Sequence, residues 1–432
     1  MALMSSMYAG WSGLTASSTQ LSVIGDNIAN GNTIGFKGSR AMFEEALAQT
    51  MMGAGHLGMG TRLQAIQRIL SQGAIVQTGV PTDLALDGEG FFMLRGTHGG
   101  ITGNYYTRAG QFTVDNGGYL VNLDGLRVQG FLADPTGQVG GTTGDLLVGD
   151  AQDPPVATTT LTLRGNLDAE ATAPTAAWDP AAPALTGPSA NANFMQPTTI
   201  YDSLGNAIQV DVYYRKTAAG AWEFHAVTDG AAVAGGTAGT TVEIGNGTLT
   251  YDTNGNLTAM TQTSTFSPVG ATAPQPLTFN FGSPTGGGGT GADGITQYAG
   301  ASTVTFIQQD GHPAGALAAV QVDTSGNVTA TFTNGETRVL AQLVVASFSA
   351  ADQMQRLSGN LYGETAASGP PQVGVAATGG RGSVLAGALE QSNVDLAEEF
   401  INMIGAQRAF QANSKTISTA DQMLQELMTL KR

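Results

Sequence analysis

The sequence predicts a multidomain α+β protein, in which N- and C-terminal helices pair as a coiled-coil-like domain and mostly-β inner and inserted outer domains lie between them. Three observations carry that prediction. Apolar residues recur at spacings of three and four only near the two ends. Between the ends the pattern switches to period two, punctuated by Asp-Gly and Asn-Gly turns. Within this β-like region the composition changes, which separates an inserted part from the part around it. At 432 residues the chain is long enough for two or three domains, each able to bury a core.

The first element starts near Met4, where Met7, Trp11, Leu14, Ser18, Leu21, Gly25 and Ile28 alternate spacings of three and four as a heptad stripe. The stripe ends in "DNIANGNTIGFKGSR". Asn27, Asn30, Asn32 and Thr33 have side chains that bond backbone groups freed at a helix end. Gly31 and Gly35 permit positive φ, and Phe36 is suited to dock as an apolar anchor. A nucleotide-binding loop is excluded here, because Phe36 separates Gly35 from Lys37, Gly38 occupies the Ser/Thr position, and a helix precedes the loop where a strand is needed. The terminal helical domain is therefore expected over 1–30 together with 390–432, with extended connecting segments over 31–74 and 363–389.

The β-like sequence follows. "DLALDGEGFFML" and "TVDNGGYLVNLDGLRVQGF" read as strands joined by tight turns. A turn theme recurs in "YDSLGN", "YDTNGN" and "VDTSGN": Asp bonds the backbone ahead of it and Gly takes the positive φ, so each is a hairpin connector. Residues 141–300 hold 13 acidic and only three basic residues and are flanked by Pro-, Thr- and Gly-rich stretches. That contrast places an inserted outer β domain at 151–299 and an inner β domain at 75–150 together with 300–362.

The last element is a long helix. Leu396, Met403, Phe410, Ile417 and Leu424 lie seven residues apart, and Phe400 and Met428 extend the face. Ser392 with Asp395 reads as a capping box, followed by Glu398 and Glu399 at the positive end of the helix dipole, with Lys431 and Arg432 at the negative end. A single apolar seam on a terminal helix cannot bury itself, so the two stripes must find each other or copies in other subunits.

Composition excludes several functions. The net charge of -16, with no cluster of Lys and Arg, argues against a nucleic-acid partner. Without cysteine there are neither disulfides nor thiolate metal sites. The longest apolar run, around "VLAQLVVASF", is too short to insert in a bilayer, and "MALMSSMYAGWSGL" lacks the basic start of a cleaved signal peptide. "GTGADG" fits a dinucleotide fingerprint only on paper, since no helix follows it, and the overlapping calcium nonapeptide occurs once where at least three repeats are needed. His56, His98, His225 and His312 are isolated. No catalytic, cofactor or metal constellation emerges.

The ends decide the reading. "SGLTASSTQLSVIGDNIANGNTIGFKGSR" closely resembles the N-terminal signature of the flagellar rod and hook protein family, and "LEQSNVDLAEEFINMIGAQRAFQANSKTISTADQMLQELMTLKR" resembles its C-terminal segment. "YTRAGQFTVDNGGYLVNLDGLRVQG" looks like the inner β domain of that family, while "YDSLGNAIQVDVYY" and "QDGHPAGAL" look like segments of its hook members. The resemblance implies that the paired ends form the inner tube of a helical polymer, and that the Asn/Gly segment turns the chain outward toward the β domains. It also implies a non-enzymatic subunit of a short curved tube, working as a universal joint between rod and filament. Its partners would be copies of itself, the rod, the hook cap, the hook–filament junction and the export proteins. Delivery would run through the flagellar type III apparatus to an extracellular place in the flagellum, without a cleaved signal peptide. Two alternatives stay open at this point: a straight distal-rod member of the same family, and a secreted calcium-dependent adhesin or polysaccharide-binding protein.

Overall fold

The computed structural model describes residues 2–47, 58–180 and 191–430. Among these, the α-helices are α1 (Ala2–Ala29) and α2 (Leu396–Leu430), near the two ends of the sequence, with strands, turns and three short 3-10 turns between them. The cap of α2 corrects one expectation. Asp395 itself takes the N-cap role, its Oδ1 accepting from the N–H groups of Ala397 (2.8 Å) and Glu398 (3.3 Å), while Ser392 bonds only Val394 N–H in the approach. Lys431 and Arg432 lie outside the described residues.

The chain forms two compact units, one comprising Met1–Ala151, Ala318–Thr331 and Thr337–Arg432, the other Gln152–Leu317 and Phe332–Glu336. In the first unit, the sequence after α1 makes an antiparallel hairpin of β1 (Ser39–Leu47) and β2 (Gly58–Arg68), with Ser39 opposite Arg68 and a bulge between Met42 and Phe43. This is the region read as a connecting segment. The hairpin lies along α1, where Thr61 N–H donates to Ser12 Oγ at 3.2 Å.

The body of the first unit is an antiparallel sheet. The strand Phe91–His98 pairs with Ile101–Thr107, Arg127–Ala133 and Thr337–Ser347, and its inward side chains Phe92 and Leu94 meet Leu86, Phe112, Val128, Leu343, Val345 and Val384 in one core. The returning chain runs beside the outgoing one. Ser383–Ala386 pairs with Leu84–Asp87, and Ala388–Glu390 pairs with Ile75–Gln77.

The second unit is built on a five-stranded antiparallel meander running from Phe194 to Ser264. A smaller sheet centred on Thr160–Asn166 shares its core, which holds Leu161, Leu163, Trp222, Phe224, Phe279 and Phe281. Thr303–Gln309, read from sequence with the inner domain, pairs antiparallel with Thr160–Asn166 in this unit. The Gly-rich stretch before it is a turn inside the unit, pinned by Asp293 Oδ1 accepting from Ser283 N–H at 2.8 Å.

The three repeated turns share one geometry. Asp202 Oδ1 accepts from Leu204 and Asn206 N–H, Asp252 Oδ1 from Asn254 and Asn256 N–H, and Asp323 Oδ1 from Ser325 and Asn327 N–H, all at 2.8–2.9 Å. The glycine of each turn sits at φ of 81–82°, where a Cβ would be strained.

Candidate assembly interface

The two terminal helices pack against each other within the chain, and small residues mediate the approach. On α1 the buried positions are Gly10, Ser17, Ile24 and Asn27, and on α2 they are Ala406 and Ala420. A Cβ placed on Gly10 would lie 2.9 Å from Ile417 Cγ1, and one on Gly13 would lie 2.6 Å from the Asn413 amide. Close backbone approach of this kind needs residues without bulk, because a well-packed interface has no room for an added methyl group.

The expected stripe on α1 therefore sits about one position round from the seam. Trp11 is 64% exposed, and Leu14, Leu21 and Ile28 are half-buried. On α2, Met403, Ile417 and Leu424 are half-buried along α1, whereas Leu396, Phe400 and Phe410 are exposed. Met428 lies in α2 outside the residues whose side chains are described. The seam of α2 is completed by Ala406, Asn413 and Ala420, which apolar bulk alone does not single out.

Among the described residues of the pair, apolar surface remains open at several positions, including the following. Met7, Tyr8, Trp11 and Ile417 line a groove of about 330 Å³. On the other side of α2, Phe400, Ile401 and Ile404 project into solvent, Ile401 at 70% exposure.

At the end of α1 the Asn/Gly segment is a clamp. Asn27 is buried, and its side-chain amide donates to Ser39 O (2.8 Å) and to Glu399 Oε1 (2.7 Å), while its Oδ1 accepts from Ser39 N–H (2.9 Å). One side chain thus ties α1, β1 and α2 together. Asn30 Nδ2 returns to Asp26 O at 2.9 Å, and Thr33 Oγ1 donates to Asn30 Oδ1 at 3.2 Å. Asn32 is exposed. Gly35 has φ of +67° and donates its N–H to Glu390 O at 2.7 Å. Gly31, expected to share that backbone region, does not; it is needed for space, since a Cβ there would meet Leu396 Cδ2 at 2.7 Å. Phe36 is 1% exposed under the guanidinium of Arg356, and Arg356 also pairs with Asp26 at 2.7 Å.

Directly after Phe36 lies a buried charge cluster that sequence reasoning missed. Glu390, fully buried, accepts from Lys37 Nζ (2.5 Å), Arg108 Nη1 (3.2 Å) and Gly73 N–H (2.9 Å). Lys37 also donates to Ser71 O, and Arg108 to Gly88 O, both at 2.7 Å. Burial pushes the Lys37 pKa below its usual value, opposed by the Glu390 carboxylate. The available signal was a charged residue within each otherwise apolar or small-residue stretch: "GFKG", "YTRAG" and "ALEQ".

Helices from opposite ends of the chain are thus paired on small residues, clamped at one end and joined to an antiparallel β body. Four family models match in chain order: flagella basal body rod protein at residues 7–37, flagellar hook protein FlgE/F/G D1 domain at 85–164, flagellar basal body protein FlaE D2 domain at 166–312, and flagellar basal body rod FlgEFG protein C-terminal at 385–430. The flagellar hook protein FlgE of Salmonella typhimurium is 34% identical over 426 residues, covering 97% of this chain and 98% of that one. That of Treponema pallidum is 31% identical over 482 residues, covering 100% of both. The crystal structure of Helicobacter pylori flagellar hook protein FlgE2 matches with a TM-score of 0.48 at 14% identity, covering 72% of this chain and 98% of that one. The chain belongs to the flagellar hook protein FlgE family.

Proposed function

We propose that this chain is the structural subunit of the flagellar hook, a curved tubular polymer that acts as a universal joint and transmits torque from rod to filament. The observation that carries the reading is the unfinished helix pair. Pairing α1 with α2 covers one side of each helix and leaves Tyr8, Trp11, Phe400, Ile401 and Ile404 exposed, more large apolar side chains than a solitary helix pair tolerates in water. Copies of the same chain supply the missing cover.

In this reading the terminal helices, 1–30 with 390–432, build the tube as a coiled-coil-like layer. The inner β domain and the inserted outer domain, 151–299 in the sequence division, make the contacts that slide as the tube bends, since small polar contacts exchange at low cost. The subunit is not an enzyme and needs no cofactor. Besides its own copies it meets the rod, the hook cap, the hook–filament junction and the export proteins. It works outside the cell, as part of the flagellum. Among the described residues, no helix is long and apolar enough to cross a membrane. Negative-stain electron microscopy of the purified, polymerised chain tests the reading: short curved tubes are expected, and straight rods or persistent monomers under all assembly conditions refute it.

A further inference from the structure

The cluster around Glu390 holds two buried cations against one buried carboxylate, so it carries positive charge in surplus. Hydrogen-bond donors are in surplus too. The Lys37 ammonium has three N–H groups and uses two, to Ser71 O and Glu390 Oε1. Arg108 spends Nη1 on Leu86 O and Glu390 Oε2 and Nη2 on Gly88 O, while its buried Nε has no hydrogen-bond partner among the described residues. A buried donor without an acceptor is uncommon, because its lost hydration is not replaced. Both cations line one cavity of about 250 Å³ in the first unit, together with Ser347, Ser349 and Glu89. Ser349 and Glu89 are exposed and mark the open side of the cavity. Ser347 is half-buried, and its hydroxyl reaches Gln372 O only at 3.4 Å.

We propose that this cavity binds a small oxyanion of the inorganic phosphate class, held by Arg108 and Lys37, with the hydroxyls of Ser347 and Ser349 as further donors. Charge and hydrogen bonding favour this occupant over water alone. An oxyanion accepts several charge-assisted hydrogen bonds at once, which are shorter and stronger than neutral ones. It also offsets the unbalanced cation, which water does not. Burial lowers the Lys37 pKa, and an anion beside the ammonium favours its charged form. The chain as a whole is acidic, with a net charge of -16 and only 17 Lys and Arg residues, so two of them converge on this cavity against the prevailing sign. That sign keeps the affinity modest. Glu89, the one carboxylate among the lining residues, lies exposed and opposes entry of an anion.

Lys37 and Arg108 are part of the fold, so the test varies the open side of the cavity instead. The native full chain, Glu89→Gln and Ser349→Glu are titrated with inorganic phosphate at concentrations of protein too low for assembly, with sodium chloride holding the ionic strength constant. Thermal unfolding and hydrogen exchange of peptides covering 84–98 and 343–352 read the binding. Phosphate strengthens burial in any protein by exclusion from its surface, so the difference among the three chains is the signal. The native chain is expected to saturate, with protection rising in both peptides. Glu89→Gln should tighten phosphate binding and Ser349→Glu should weaken it, each by about fivefold, the effect of a unit charge about 4 Å away in bulk water. Stabilisation that climbs linearly and equally in all three chains overturns the site, because it is the general salt effect. Saturable binding that neither substitution moves places the anion elsewhere and overturns it as well. If Ser349→Glu does not fold, Glu89→Gln still decides, since it removes an exposed charge and leaves the packing unchanged.

Discussion

Replacing Glu390 with Ala removes the acceptor that two buried cations share. Lys37 and Arg108 have side chains only 1% and 5% exposed, and both direct a donor at the Glu390 carboxylate, which also accepts from Gly73 N–H. After truncation Lys37 keeps Ser71 O and Arg108 keeps Gly88 O, neutral acceptors that do not compensate a buried charge. Breaking a buried pair by removing one partner costs about 3–5 kcal/mol. The exposed pair Glu44–Arg62 serves as a control, because a surface pair contributes about 0–1 kcal/mol and Glu44→Ala is expected to be nearly silent. Urea unfolding of the full chain, at concentrations too low for assembly, reads the effect. Peptide-resolved hydrogen exchange over 84–98 follows the first unit, and in a Trp11→Phe background the fluorescence of Trp178 and Trp222 follows the second. The first unit is expected to lose stability by the stated amount while the fluorescence transition stays put. A loss below about 1 kcal/mol in the first unit would show that the cluster is worth no more than a surface pair.

Other consequences follow from the same geometry. Gly35→Ala forces a Cβ to within 2.5 Å of Ala109 N at φ of +67°, so a loss of at least about 1–2 kcal/mol is expected, measured by the same exchange experiment. Gly10→Leu overpacks the seam against Ile417, with an expected cost of about 1–3 kcal/mol in the helix pair; polymerisation followed by light scattering should slow or stop, and unchanged kinetics would count against the small-residue seam. Acid weakens the second unit. Backbone N–H donation from Asn256 holds Asp252 below the ordinary Asp value of 3.8, and at Asp202 partial burial is outweighed by the Asn206 amide and backbone N–H groups, so that it too is lowered. A depressed carboxylate contributes stability that is fully present above 3.8 and is lost as pH falls through the lower folded value, so circular dichroism should show the second unit losing stability below about pH 4 and not above it.

What the sequence disclosed depended on how local the physics is. The hairpin connectors were legible because everything they need lies within six residues: the Asp acceptor, the N–H groups it captures and the Gly at positive φ. The helices were legible because a heptad is a short-range pattern, yet the face that α1 turns toward α2 was not. Heptad logic puts bulk in the seam, and so it selected Trp11, whereas the packed pair uses Gly10, Gly13 and Ser17 to bring the backbones together and leaves Trp11 outside. The Asn/Gly segment was legible as a helix end, but its chief task was not: Asn27 reaches Glu399 across 372 positions of sequence. The Glu390 cluster was hidden for the same reason, with partners 353 and 282 positions away.

These long-range contacts bear on how a hook subunit passes on a twist. A helix pair joined to a β body through a flexible linker would swivel, and rotation of the helices would be lost in the linker. Here the chain leaves α1 through Asn27, Gly35, Phe36 and Lys37 and returns to α2 through Glu390 and Asn393, and each stage is bonded to the other strand of traffic. Gly35 N–H donates to Glu390 O, Lys37 pairs with the Glu390 carboxylate, and Asn393 Oδ1 accepts from Gly38 N–H at 2.8 Å while its amide donates to Ile69 O and Ser71 O. Arg108, at the end of the strand Ile101–Thr107, joins the same carboxylate to the β body. Buried charge suits this task better than apolar contact, because an unpaired charge is penalised in every other register, whereas apolar side chains slide past one another at small cost. The neck between helices and inner sheet is thus bonded at each stage, so that a twist of the helices passes to the sheet and is not lost in a linker.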